Sequence, residues 1–99
     1  MAGLVGAKGG IPRHINGSTG VSTTKNWTWS GGIAGHLWFK NTGGGTITLT
    51  LTNQTDADAG IGISIGNNEI VEFPIEIQTF FTRSTVDRTF EAIAFIRRG

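Results

Sequence analysis

The sequence predicts an all-β fold: a small antiparallel β-sandwich or jelly-roll-like barrel with an extended Gly-rich N-terminal arm. Three observations carry this expectation. Apolar and polar residues alternate with period two through much of the chain after Trp27, which is the pattern of a half-buried strand. Turn-forming residues part these runs at short intervals, as in sandwiches and barrels. Glycine supplies 16 of 99 residues and proline only 2, and a glycine inside a helix costs about 1 kcal/mol against alanine.

Residues 1–24 are rich in Gly, Ser and Thr and hold a few scattered apolar residues with neither helical nor strand period. Two readings stand. One is a disordered tail. The other is an extended arm that orders on a neighbouring subunit, anchored by Leu4, Val5, Ile11 and Ile15, with Pro12 favouring extended backbone at Ile11. The β domain is expected over residues 25–99.

Residues 25–31 (KNWTWSG) and 35–41 (GHLWFKN) read as its first two strands. In 46–53 (TITLTLTN), Ile47, Leu49 and Leu51 share one face and Thr46, Thr48, Thr50 and Thr52 the other; both residue types suit a pleated surface. In 60–66 (GIGISIG), Ile61, Ile63 and Ile65 oppose Gly62 and Ser64. Residues 69–73 and 75–77 give one or two more strands, with Pro74 between them marking an edge, bend or bulge. Residues 79–88 fit strand, loop and strand better than a helix lined by Phe80, Phe81 and Val86, because the segment is Thr-rich. The last segment sets Phe90, Ala92, Ala94 and Ile96 against Glu91, Ile93, Phe95 and Arg97. Both faces are partly apolar, so a central strand is expected. Turns fall at 30–32, 41–45, 53–60 and 66–68, for about seven strands in all.

Ninety-nine residues make one domain with a small core, so part of its stability is expected to come from a partner. With no cysteine, disulfides, thiol nucleophiles and thiolate metal sites are excluded. The N-terminus has no apolar region of signal-peptide length, and no stretch approaches the roughly 20 apolar residues of a membrane span. A soluble protein made without an export signal is expected. The net charge of +1 hides an asymmetry: Lys8, Arg13, Lys25 and Lys40 stand in the first half with no acid, and all 7 acids lie in the second half against four arginines. That basic half is too sparse for a nucleic-acid surface but suffices to guide contact with an acidic protein.

Catalytic chemistry finds little. His14 lies in the arm and His36 on a Trp-containing strand, and neither has a nucleophile motif. Glu69, Glu72 and Glu76 read as strand-face charges that discourage edge pairing rather than as a glycosidase pair. Residues 55–60 (TDADAG) begin like a calcium loop but lack its terminal acid, and Asp and Gly are equally what a turn requires. No catalytic residue, metal ligand or cofactor is expected. Three sequons, at Asn16, Asn26 and Asn53, read as chance matches without an export signal. Trp27 and Trp29 point the same way, with Trp38 and Phe39 nearby. They pack in the core or form a platform for sugars or a protein.

From Thr46 onward an alternating Thr/Leu strand leads through a polar tip (GNNE) to a strand ending in proline (EIVEFPIEI), then to TFFTR and the closing TFEAIAFIRRG. This half of the chain resembles small β-sandwich virion proteins of tailed bacteriophages, especially capsid decoration or cement proteins. The resemblance implies a homo-oligomer, a trimer among the options, made in the host cytoplasm and carried on the virion. It would bind the major capsid protein or another virion protein, without nucleic acid or membrane. The alternative is a carbohydrate- or receptor-binding module of a tail or fibre. The residues expected to meet a partner are Leu4, Val5, Ile11, Arg13, Ile15, Trp27 and Trp29.

Overall fold

The alternating segments become strands because each buries one row of side chains between two sheets. The computed structural model describes residues 11–97. Its strands are β1 (Ile11–Ser18), β2 (Lys25–Thr28), β3 (Ala34–Asn41), β4 (Ile47–Thr50), β5 (Ile63–Ile65), β6 (Ile70–Phe73), β7 (Thr79–Arg83) and β8 (Thr89–Ile96), with one short helix, α1 (Gln54–Asp58). Sheet A runs β1-β8-β3-β6 and sheet B runs β2-β7-β4-β5, and every strand pairing is antiparallel.

The pairings nest. β4 pairs with β5, β3 with β6, β2 with β7 and β1 with β8, so the chain is one folded ribbon. The ribbon is rolled so that β3 also pairs with β8 and β4 with β7. This winding of eight strands into two packed sheets is the jelly roll, which resolves the expected choice between sandwich and barrel.

The inner faces supply a core of Leu37, Phe39, Ile47, Leu49, Ile65, Phe80, Phe90, Ala92, Ala94 and Ile96, with Ala34 and Ile77. Phe39 stacks on Phe90 at 5.0 Å, and Phe80 meets both rings edge-on at 5.9 Å. β8 is central, as its two-sided apolar pattern required. Among the polar side chains buried with this core is the fully buried Asn41. Its Nδ2 donates to the carbonyls of Ile65 (2.9 Å) and Gly45, and its Oδ1 accepts from the Gly43 N–H at 2.8 Å. Asn41 thereby ties the 43–45 turn and β5 to the end of β3. At Gly43 an added Cβ would lie 2.6 Å from the Thr89 backbone, so the turn lies directly against the start of β8.

Four expectations change. The arm does not extend to residue 24, because residues 11–18 form β1 and pair with β8 along their whole length. The inward positions of β1 read Ile11, Arg13, Ile15 and Gly17, and the charge and the glycine hide the strand period. Leu4 and Val5 lie outside the described residues. The loop expected at 53–60 contains α1, capped by the Asn53 side chain accepting from the Asp56 N–H. This helix packs on β4 and β7 and buries Ala57, so Thr50 and Phe81 are buried although they face away from the sandwich interior. Residues 75–77 are not a strand; only Ile77 makes a bridge, to Ala34. Finally, the Ile61, Ile63 and Ile65 row is buried only at Ile65, the other two being 59% and 40% exposed, because β5 is a short edge strand.

Candidate interaction surface

The outer faces of the two sheets differ in chemistry. On sheet B the outward positions are Asn26, Thr28, Thr48, Ser64, Thr79 and Arg83, with α1 over part of the remainder. On sheet A the register sets Pro12, Phe95 and His36 in one row across β1, β8 and β3. His14, Ile93, Trp38 and Glu72 form the next row, and Asn16, Glu91, Lys40 and Ile70 the third. The first two rows make a patch of aromatic, proline and isoleucine side chains; the third is a mixed-charge border.

The patch is held in shape by pairs within it. The His36 ring meets Phe95 edge-on at 5.7 Å, and its Nε2 lies 2.8 Å from Glu72 Oε1. Trp38 stands between Ile93 and Glu72 across the strands. Beyond the first row, Arg97 pairs with Glu76, adding a charged rim at that end. An apolar centre with a polar rim is the usual anatomy of a protein interface.

Those residues expected from sequence that the structure describes fall elsewhere. Ile15, Trp27 and Trp29 pack partly buried against the core. Trp27 meets Phe90 edge-on at 5.0 Å and donates from Nε1 to Thr82 Oγ1 at 2.9 Å. Gly17 makes this possible: a Cβ there would lie 2.4 Å from the indole. Trp29 lies over Phe80 at 6.3 Å and donates to the Gly32 carbonyl at 3.0 Å. The two indoles are thus not a free platform. They close the side of the sandwich where β1 lies over β2. Arg13 crosses that seam, its Nε donating to Ser30 O at 3.3 Å, and Lys25 Nζ donates to Ser18 O at 3.1 Å. Ile11, 39% exposed, sits at the same side. Trp38 belongs to the opposite face of the other sheet, although it is close to Trp27 and Trp29 in sequence.

A second polar cluster joins α1 to sheet B. Asp58 accepts from the Thr24 hydroxyl and the Gln54 amide, and with Arg83 nearby these outweigh a small desolvation, so its carboxyl is held below the ordinary carboxylate value. Arg83 Nη1 in turn donates to Thr24 Oγ1 at 2.9 Å. A carboxylate depressed in the folded state stabilises the fold above its unfolded pKa of about 3.9, and that contribution disappears as pH falls through the lower folded value. Asp58→Asn should therefore melt below the parent at neutral pH and converge with it as the pH falls through the lowered folded value, measured by melting temperature against pH. A constant gap down to acid pH would assign the effect to lost hydrogen bonds rather than to charge.

No family model, curated protein or solved structure matches the chain.

Proposed function

We propose that the chain is a virion structural protein, a capsid decoration or cement subunit that binds and stabilises a phage head through the outer face of sheet A. The observation that carries this reading is the contrast between the two outer faces: Pro12, His36, Trp38, Ile93 and Phe95 on one sheet, Thr-rich polar positions on the other. The jelly roll supports the reading as an analogy, since it is an architecture of viral capsid domains, and it equally serves lectins. The resemblance of the C-terminal half supports the same assignment. The partner is the major capsid protein or another virion protein.

Attachment on this reading is mainly apolar. A fully buried large apolar side chain contributes about 1.5–3 kcal/mol, whereas an exposed ion pair contributes about 0–1 kcal/mol. The double change Trp38→Ser plus Ile93→Ser, on the outer face and away from the core, should leave cooperative melting in place. It should release most of the protein from purified particles, scored by sedimentation and gel densitometry. Raising salt from about 0.1 to 1 M, which shortens the Debye length from about 10 to 3 Å, should release less. A chain absent from purified particles, or one released by salt while the double variant stays bound, would overturn the proposal.

One observation favours the alternative, a carbohydrate- or receptor-binding module of a tail or fibre: Trp38 stands among His36, Lys40, Glu72 and Glu91, an aromatic surface ringed by hydrogen-bonding groups. Saturable quenching of Trp fluorescence by oligosaccharides, with few copies per particle, would select that reading over decoration.

A further inference from the structure

The backbone of β1 carries information that its side chains do not. In an antiparallel ladder, alternate residues direct both N–H and C=O to the same neighbour. Three bonds at the ladder ends fix which residues do so. The Thr19 N–H donates to Arg88 O at 2.8 Å, the Thr42 N–H to Thr89 O at 3.1 Å and the Asn41 N–H to Glu69 O at 3.1 Å. Odd positions of β1 therefore bond to β8, and Pro12, His14, Asn16 and Ser18 direct their backbone groups to the far edge, where no strand lies among the described residues. The other sheet edges, β2, β5 and β6, are four, three and four residues long; β1 has eight. Short edges resist strand addition, and a long one invites it.

Three features of β1 bear on what fits there. Pro12 has no N–H to offer. Ser18 O is already taken by Lys25 Nζ. Arg13, an inward charge of the kind that blunts an edge, is turned down to Ser30 O. We propose that this edge pairs with β1 of a second copy, antiparallel about a two-fold axis at Ile15. In this register His14 and Asn16 exchange N–H···O=C bonds in both directions. Pro12 faces Ser18, so the position without a donor meets the carbonyl that needs none, and the Ser18 N–H donates to Pro12 O. Arg13 faces Gly17, which presents no side chain. Ile15, half-buried at the edge of the core, meets its own symmetry mate. Shifting the axis to His14 instead sets Pro12 against Asn16 and leaves the Asn16 carbonyl without a donor. The dimer joins two copies of sheet A into one continuous sheet and makes their outer faces contiguous. It rests on the backbone of β1 and not on what the outer face binds.

The experiment uses purified protein without particles. Sedimentation equilibrium across a concentration series should show a monomer–dimer equilibrium. Asn16→Pro removes an N–H that points away from β8, so the monomer should fold and melt as the parent does while dimerisation weakens by at least about tenfold. Ile15→Cys places the new thiols at a non-hydrogen-bonded pair with Cα atoms about 4.5 Å apart, within disulfide range. Mild oxidation should convert that variant, in a chain with no cysteine of its own, to a covalent dimer. Arg13→Cys, opposite Gly17, should stay uncrosslinked. A protein monomeric at every concentration would overturn the proposal, as would a dimer indifferent to Asn16→Pro or one crosslinked through residue 13 but not 15. Loss of particle attachment with the dimer intact would instead count only against the decoration reading.

Discussion

Replacing Phe90 with alanine should lower folding stability by about 3–5 kcal/mol. The ring is 1% exposed and touches three other rings: Phe39 in a stack and Trp27 and Phe80 edge-on. Its removal deletes apolar burial and also aromatic geometry worth about 0.5–1.5 kcal/mol per pair. Phe39 and Phe80 stand on β3 and β7, strands hydrogen-bonded to two neighbours each, so these walls collapse poorly into the void. Against the 5–15 kcal/mol total of an ordinary domain, the loss is large. Chemical denaturation should show the midpoint fall at unchanged slope. A loss below about 1 kcal/mol would mean that this ring cluster is not the centre of the core.

The second large effect separates two neighbours on β4. Leu49→Ala should cost about 2–5 kcal/mol, since Leu49 is fully buried between the sheets. Thr48→Ala should cost under about 1 kcal/mol, because Thr48 stands outward, opposite Ser64 and Arg83, and contributes mainly strand propensity. Denaturation midpoints of the two variants, compared at one pH and temperature, check the difference. Equal losses would mean that the outer face of sheet B is buried at this position too. Thr50, the next outward residue, is the internal contrast: α1 packs on β4, and the Thr50 hydroxyl donates to Ile61 O at 2.7 Å.

Alternation made the fold class legible where one face is buried and the other is not. Ile47 and Leu49 show this, as does the β8 pattern whose second apolar row announced neighbours on both sides. It failed where the inward row is chemically mixed. In β1 an arginine and a glycine occupy inward positions for specific reasons, one reaching a loop carbonyl and the other admitting Trp27. A five-residue helix offers less than two turns of periodicity, so α1 reads as a turn, and its one local signal is the Asn53 cap. For the candidate surface, spacing correctly placed Trp27 and Trp29 on one face. Of the two readings it left open, packing against the core is the one the structure bears out. The sheet A patch was illegible for a different reason: its members come from four strands, and Pro12, Phe95 and His36 become neighbours only through pairing register.

The nested ribbon also dictates when each part of the molecule can form. The β4–β5 pairing closes a short stretch of chain, but Ile11 pairs with Ile96, so β1 waits for β8. Such non-local pairing must overcome loop-closure entropy before any contact rewards it, which places a jelly roll among folds that mature in milliseconds to seconds rather than microseconds. During that interval β3 lacks its central neighbour, and Phe39 and Trp38 are uncovered together. Nascent copies in that state have the unpaired edges and exposed apolar surface that lead to aggregation. On this topology the soluble yield of the chain is expected to rise when synthesis is slowed at low temperature, because closure of the ribbon then competes better with association.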